Sequence, residues 1–186
     1  MRIIGGNFKG KRILLPSDKN TRPLRDLVKE SIFNLFNHSN KLNFEIKDSK
    51  ILDLFSGTGS FGLECISRGA QKVTFVENYT EILRILKKNI LNLNVDKNSE
   101  IIEENCFNYF KSNNLPQNEF DLIFIDSPFK EKKINYLIDI IKENKILRQN
   151  GILILHRHKK DNIEISKNLK ILDQRNYGLS KIILGN

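Results

Sequence analysis

The chain has few cysteines and no long apolar run, and each absence excludes a class of protein. Cys65 and Cys106 are the only cysteines among 186 residues, so a disulfide scaffold is excluded and both thiols are expected to be reduced packing residues. The first residues lack the apolar stretch of a signal peptide, and no window is long and apolar enough to span a membrane. We therefore expect a cytoplasmic protein of one ordinary domain, without a membrane partner.

Basic side chains exceed acidic ones, and the excess is uneven along the chain. The formal net charge is +9, from 31 Lys and Arg against 22 Asp and Glu. Residues 1–30 hold eight basic and three acidic side chains and so carry more than half of that charge. Such a balance favours phosphate-rich partners through the release of counterions. A genome-wide preference for Lys, Asn and Ile would produce the same excess, so the charge alone does not decide between the two.

Residues 1–22 are predicted to form a basic N-terminal arm. Between Arg2 and Leu15, turn residues at Gly5-Gly6-Asn7 and at Gly10 separate two apolar patches, which indicates a short β-hairpin. We interpret the arm as a surface that contacts nucleic acid, and a solvated hairpin that only caps the domain is the alternative. The residues predicted to contact nucleic acid are Lys9, Lys11, Arg12, Arg22 and, just after the arm, Arg25.

Residues 23–186 show the alternation of strands and helices that is typical of an α/β domain. The predicted strands lie near 51–54, 72–76, 100–103, 121–125 and 151–155, and the predicted helices near 23–36, 60–68, 79–91 and 131–144. The strands are continuous apolar runs, which predicts a doubly wound, mostly parallel sheet covered on both faces. Two final strands, at 169–173 and 179–184, are joined by a link too short for a crossover helix, so one of them must run antiparallel.

A glycine-rich segment follows the first predicted strand of this domain. Gly57 and Gly59 allow close approach of a ligand to the backbone, and residues 57–62 also match the G-x-G-x-x-G fingerprint of dinucleotide-binding proteins. Asp53, four residues before Gly57, would repel a pyrophosphate but suits the ammonium group of an amino-acid-bearing cofactor. The chain also has little room for a dehydrogenase substrate domain. We therefore favour S-adenosylmethionine over a nicotinamide dinucleotide, which stays as an alternative.

The segment Asp126-Ser127-Pro128-Phe129 comes directly after the apolar run 122–125. A carboxylate, a turn and an aromatic ring that emerge together from a buried strand can bind a flat ring that bears an amine, such as a nucleobase. Because ligands of doubly wound sheets bind at the carboxyl ends of the strands, the 126–129 segment and the glycine-rich turn should meet at one edge of the sheet. Glu77 ends another strand there and could accept hydrogen bonds from a ribose.

Several motifs together resemble a known family. They are Arg2-Ile3-Ile4-Gly5-Gly6, Lys9-Gly10-Lys11, Thr21-Arg22-Pro23, Glu30-Ser31-Ile32-Phe33-Asn34, Asp53-Leu54-Phe55-Ser56-Gly57-Thr58-Gly59, Ser67-Arg68-Gly69-Ala70 and Asp126-Ser127-Pro128-Phe129. In this order and spacing they resemble the RsmD family of bacterial 16S rRNA guanine-N2 methyltransferases, over residues 2 to about 155. The resemblance implies a Rossmann-like class I methyltransferase domain with a seven-stranded sheet. It also implies 16S rRNA or the small ribosomal subunit as partner, and we expect a monomer.

The resemblance also implies roles for individual residues. The methionine part of S-adenosylmethionine would be bound by Asp53, Phe55, Ser56, Gly57, Thr58 and Gly59. Glu77 would bind the ribose, and Asn105 with the Cys106 backbone would bind the adenine. The catalytic segment would be Asp126, Ser127, Pro128 and Phe129, which takes the target base.

The chain departs from the family pattern at three places, the simplest of which is Leu24 in place of a common threonine. Ser127 stands where the family has the first proline of Pro-Pro, so we expect a looser turn and a slower enzyme that still works. His156-Arg157-His158 stands where the family often has an acid, and we expect a phosphate contact or a solvated strand end there rather than a metal site. Two alternatives stay open besides dehydrogenase, namely an adenine-N6 methyltransferase on DNA or RNA and a catalytically weakened RNA-binding assembly factor of the same fold.

Overall fold

The computed structural model describes residues 1–16, 24–38, 44–111 and 115–186. Within these ranges the strands are β1 (Lys50–Leu54), β2 (Lys72–Val76), β3 (Ser99–Ile102), β4 (Phe120–Ile125), β5 (Leu147–His158), β6 (Ile171–Tyr177) and β7 (Ser180–Gly185). The helices are α1 (Asp26–His38), α2 (Ser60–Ser67), α3 (Thr80–Leu93), α4 (Cys106–Tyr109) and α5 (Ile134–Glu143). Short 3-10 turns lie at Gly6–Phe8 and Asp96–Asn98.

All seven strands form one sheet in the order β3-β2-β1-β4-β5-β7-β6. The five strands from β1 to β5 pair in parallel, whereas β7 lies antiparallel between β5 and β6. Gly178, at φ +59°, turns the chain between β6 and β7, which explains how so short a link reverses it. The predicted fold class, a doubly wound and mostly parallel sheet with an antiparallel C-terminal strand, is confirmed.

Two apolar layers cover the sheet, one on each face. Residues of β1 alternate between them, since Ile51 packs in the layer that contains α1, α2 and α3, and Leu52 packs in the layer that contains α5. Both residues are fully buried. This arrangement accounts for the continuous apolar strands of the sequence, because a strand covered on both faces buries every side chain. No helix in the described ranges combines the length and the apolar character needed to cross a membrane.

The N-terminal arm packs against α1 and α2. Its predicted hairpin is present as an antiparallel bridge between Arg2 and Arg12, flanked by backbone hydrogen bonds from Ile3 to Lys11 and from Ile13 to Met1. The amides of Ile4 and Gly5 each donate to the Glu64 carboxylate at 2.8 Å, and Glu64 lies 3.3 Å from the buried Lys29 ammonium. The described part of the arm therefore belongs to the main core. The boundary between residues 22 and 23 lies outside the described residues, so the division into arm and methyltransferase domain stays a prediction.

Candidate active site

A cavity of about 560 Å³ opens at the carboxyl ends of β1 and β4, where the strand order reverses. Its wall joins the glycine-rich turn after β1, the end of β2 and the 126–129 segment after β4. The predicted site residues that line it are Asp53, Phe55, Ser56, Gly57, Thr58, Glu77, Asp126, Ser127, Pro128, Phe129 and Arg25. The structure thus brings together the two segments that the sequence places about seventy residues apart.

The glycine-rich turn, Phe55 to Gly59, needs the left-handed backbone region at three of its five residues. Phe55 has φ +57°, Gly57 +55° and Gly59 +81°. A side chain at Gly57 would meet no atom within 4 Å, whereas one at Gly59 would come within 2.5 Å of Leu86. Gly57 therefore leaves open space beside the backbone at the cavity wall, while Gly59 allows α3 to pack closely. Among the predicted cofactor residues, Gly59 is not in the cavity wall.

Asp53 is 1 % exposed and lies at the end of β1. Its carboxylate accepts a hydrogen bond from the Gly62 amide at 3.0 Å. Burial raises the pKa of Asp53 well above its usual value of 3.8, and the nearby carboxylates of Asp126 and Glu77 raise it further. Three acidic groups therefore face one cavity. A cation that enters it relieves this repulsion, and a pyrophosphate would increase it.

Glu77 follows β2, and three backbone amides fix its carboxylate. The amide of Gly57 donates to Oε2 at 2.9 Å, and the amides of Asn78 and Tyr79 donate to Oε1 at 2.9 Å each. A carboxylate offers about four acceptor positions, so about one stays available for a ribose hydroxyl. Accepting from both hydroxyls of a ribose would require one amide to give way.

Asn105 and Cys106 lie at the carboxyl end of β3 but do not line the cavity. The Asn105 side chain accepts from the Phe107 amide at 2.9 Å and so caps α4. Burial raises the pKa of the Cys106 thiol to about 12. The Phe55 ring, which lines the cavity, meets Phe107 edge to face at 6.1 Å. Because β3 is the outermost strand, its end reaches the site less closely than the sequence predicts, and adenine binding there stays a prediction.

The 126–129 segment is held by Arg157, which is 2 % exposed. Its guanidinium donates to the Ser127 hydroxyl at 2.8 Å, to the Pro128 carbonyl at 3.1 Å and to the Phe129 carbonyl at 2.9 Å. It also pairs with Asp161 at 2.5 Å. The expected looser turn is therefore not what the structure shows: the hydroxyl at position 127 contributes a buried hydrogen bond to a charged group where a proline would restrict φ.

His156 lies beside the same segment on the cavity side. It is 4 % exposed and lines the cavity together with Ser180. The expectation of a phosphate contact or a solvated strand end is wrong for His156 and for Arg157, because both are buried against the 126–129 segment. His158 is half-buried, and its ring meets Phe129 edge to face at 5.3 Å. Among the described residues no group of three or more His, Cys, Asp or Glu could hold a metal ion.

The described residues that are predicted to contact RNA lie in two regions, the N-terminal arm and the cavity wall. Lys9, Lys11 and Arg12 are exposed, but the arm turns back at the far end of α2, where the Phe8 amide donates to the Ser67 hydroxyl at 2.9 Å. That end lies about 10 Å along the helix from the cavity, at about 1.5 Å per residue. Arg25 is exposed and lines the cavity, and Arg22 lies outside the described residues.

The sequence interpretation missed several cavity residues. Phe61 and Phe124 stack with ring centroids 3.9 Å apart and form an apolar part of the wall. Tyr79, two residues after Glu77, also lines the cavity. The sequence could have indicated Tyr79, because it lies two residues after an acid at the end of a strand. Ser180 carries no such signal, because it begins a strand that reaches the site only through pairing with β5.

Comparison with known proteins identifies the family. A family model described as Conserved hypothetical protein 95 matches residues 1–186. The chain is 35 % identical over 167 residues to ribosomal RNA small subunit methyltransferase D of Buchnera aphidicola subsp. Acyrthosiphon pisum, which covers 89 % of this chain and 82 % of that protein. It is 32 % identical over 182 residues to the Haemophilus influenzae protein of the same name, and this match covers 96 % of this chain and 90 % of that protein.

A solved structure supports the same relationship. The crystal structure of a Haemophilus influenzae protein assigned as a methylase superimposes with a TM-score of 0.76 at 30 % identity, and the match covers 99 % of this chain and 96 % of that one. The resemblance read from the motifs is thus confirmed over a longer stretch than those motifs span. The chain belongs to the ribosomal RNA small subunit methyltransferase D family, the RsmD family.

Proposed function

We propose that this protein is an S-adenosylmethionine-dependent methyltransferase that modifies the exocyclic N2 amine of a guanine in 16S rRNA. One observation carries the proposal: the glycine-rich turn and the 126–129 segment line a single cavity. Relatives that match most of the chain are named as ribosomal RNA small subunit methyltransferases, which supports both the reaction and the rRNA partner.

The residues of the cavity fit S-adenosylmethionine. The open space beside Gly57 admits a ligand close to the backbone, and the three acidic groups Asp53, Glu77 and Asp126 suit a ligand with a sulfonium and an ammonium charge. When bound, this cofactor supplies an electrophilic methyl group. We place its methionine part against Asp53 and the glycine-rich turn, and its ribose at Glu77. Asn105 and the Cys106 backbone keep their predicted place near the adenine.

The 126–129 segment provides what the target amine needs. The N2 lone pair of guanine is delocalised into the ring, so hydrogen bonds from its two protons must localise charge on nitrogen. Asp126 offers a carboxylate oxygen and Ser127 its main-chain carbonyl, which accepts no hydrogen bond within the described residues. Phe129 would stack on the base, a contact worth about 1–3 kcal/mol. Most of the remaining acceleration is then in-line positioning of the amine.

Basic side chains supply the RNA surface of the proposal. Arg25 and Lys130 are exposed at the cavity, and Lys9, Lys11 and Arg12 extend the positive surface along α2. These groups would act through phosphates, so they position the RNA rather than read its sequence. A cytoplasmic location and a monomeric state stay predictions.

The test is methyl transfer from radiolabelled S-adenosylmethionine to unmodified small ribosomal subunits and, in parallel, to naked 16S rRNA. Mapping and nucleotide analysis of the product should find N2-methylguanine. Methylation at adenine N6 would instead support the alternative with the same clamp chemistry, and RNA binding without any transfer of label would support a weakened assembly factor. Asp126→Ala should lower kcat by about 100-fold or more, whereas Asp96→Ala, at an exposed acid before β3, should leave it unchanged.

A further inference from the structure

Asp126, His156 and Ser180 form a hydrogen-bonded chain in the cavity wall. The His156 Nδ1 atom lies 2.7 Å from Asp126 Oδ1, and its Nε2 atom lies 2.8 Å from the Ser180 hydroxyl oxygen. His156 is 4 % exposed and Ser180 2 %. The three residues come from three strand ends, those of β4, β5 and β7, and each of them lines the cavity.

The contacts determine which ring nitrogen carries the hydrogen. An ionised carboxylate only accepts hydrogen bonds, so the nitrogen that faces Asp126 must donate. A neutral ring then carries its hydrogen on Nδ1 and accepts from the Ser180 hydroxyl at Nε2. The opposite tautomer would place two acceptors, Nδ1 and Oδ1, 2.7 Å apart without a hydrogen between them. Asp126 therefore sets the tautomer, and the Ser180 hydroxyl, which can donate as well as accept, satisfies the remaining ring nitrogen Nε2.

This chain of contacts has a consequence for the carboxylate. Oδ1 is occupied by His156, which holds the plane of the carboxyl group and leaves Oδ2 for a proton of the substrate amine. The same ring meets Phe129 edge to face, with centroids 5.8 Å apart. One side chain thus contacts both the group that would accept from the amine and the ring that would stack on the base.

We propose that His156, held between Asp126 and Ser180, is a positioning residue that orients the Asp126 carboxylate toward the substrate amine. The inference rests on the proposed function for its catalytic meaning. The tautomer itself is a property of the protein alone, so it can be tested without substrate.

The first experiment is ¹⁵N NMR of the imidazole nitrogens in the full chain, at a pH where the ring is neutral. We expect the hydrogen of His156 on Nδ1, and Asp126→Ala should reduce the share of this tautomer. A neutral ring that carries its hydrogen on Nε2 would overturn the proposal, whatever the enzyme methylates. His38 and His158 are the other histidines, and His156→Asn assigns the signal.

The second experiment compares two amide substitutions of similar polarity. The side-chain nitrogen of Asn stands as many bonds from Cα as Nδ1 of His, and that of Gln as many as Nε2. His156→Asn can still donate to Asp126, whereas His156→Gln presents its amide near Ser180. We expect His156→Asn to retain most of kcat and His156→Gln to lose about 10- to 100-fold, the range for removal of an outer hydrogen-bond partner. The KM for S-adenosylmethionine should stay the same in both.

The outcomes separate this inference from the proposed function. A wild-type protein that transfers no methyl group to rRNA contradicts the function, and the NMR result still decides the tautomer. An active wild type with equal kcat in the two variants, or a larger loss in His156→Asn, contradicts the positioning role. Thermal denaturation of both variants shows whether either loss comes from unfolding. The two kcat values are therefore compared at a temperature well below the lower Tm.

Discussion

Replacing Ser127 by alanine should lower the free energy of unfolding by an amount that follows from the contacts of its hydroxyl. The change removes the 2.8 Å hydrogen bond between the Ser127 hydroxyl and the Arg157 guanidinium, and both residues are 2 % exposed. A hydrogen bond to a charged group contributes about 1.5–3 kcal/mol. The same guanidinium nitrogen keeps the Pro128 carbonyl at 3.1 Å, so its charge is not left without an acceptor. The loss should therefore lie at the lower end, about 1.5 kcal/mol.

Thermal denaturation tests the predicted loss of stability, and steady-state methyl transfer tests the effect of that loss on kcat. For a chain of this size 1 kcal/mol corresponds to about 2–4 °C in Tm, so Ser127→Ala should melt about 3–6 °C lower. If the whole loss is felt in the transition state, kcat falls about tenfold. Ser127→Pro loses the same hydrogen bond but restricts φ, which restores about 0.4–1 kcal/mol. The proline variant should therefore lie between the alanine variant and the wild type in Tm.

Ser49→Ala is the matched control, because Ser49 is 5 % exposed and donates to the Ile46 carbonyl at 2.5 Å at the amino end of β1. That variant should lose about 1 kcal/mol of stability and keep its kcat. An unchanged Tm and kcat in Ser127→Ala would refute the reasoning, since the hydroxyl would then contribute nothing to the segment. An inactive Ser127→Pro beside an active Ser127→Ala would show that the turn requires a φ that proline cannot adopt.

Three further predictions concern buried ionisable groups. Burial raises the pKa of Asp53, so the stability that its neutral carboxyl contributes is complete below pH 3.8 and is lost as the pH rises through the pKa of the folded protein. Asp53→Asn should therefore gain Tm relative to the wild type as the pH rises. It should also bind S-adenosylhomocysteine more weakly in calorimetry. Glu64→Gln removes the carboxylate nearest to the buried Lys29 ammonium, which keeps the Arg2 carbonyl at 2.8 Å, and should cost about 3 kcal/mol in urea unfolding, with earlier proteolysis of the arm. Burial raises the thiol pKa of Cys106 to about 12 and also raises that of Cys65, so a thiol reagent followed by mass spectrometry should label neither in the native protein and both in denaturant.

The elements that the sequence predicts well are those with strong local patterns. The apolar run before Asp53 and the glycines after it define β1, its turn and α2 within a residue, because a buried strand and a left-handed turn each restrict residue choice locally. Elements without such a local pattern were predicted less well: α4 was missed, and β5 was predicted too short. The four-residue α4 has too few residues for a periodic pattern, and β5 begins at Leu147 within a polar stretch, four residues before the predicted strand.

The candidate site divides in the same way. Asp126 and Phe129 stand out because a polar and an aromatic residue end an apolar strand, and Gly57 because glycine permits its backbone angle. Nothing local distinguishes a buried His156 from an exposed one, since a histidine at a strand end has the same pattern in both cases. Its burial follows from β7, which adds to the edge of the sheet beside β5 and brings Ser180 to the ring.

The sequence by itself determined the family, the parallel core of the sheet and the two segments that meet at its edge. They depend on residues near one another in the chain: the spacing of apolar residues, the positions of glycines and the side chains that follow each strand can all be seen in the sequence. The tertiary structure decided which partners the catalytic segment has. Arg157 and His156 reach it from β5, and Asn105 stays outside the cavity at the outermost strand. Such contacts depend on strand order and register, which join residues about thirty positions apart and leave no trace in either local pattern.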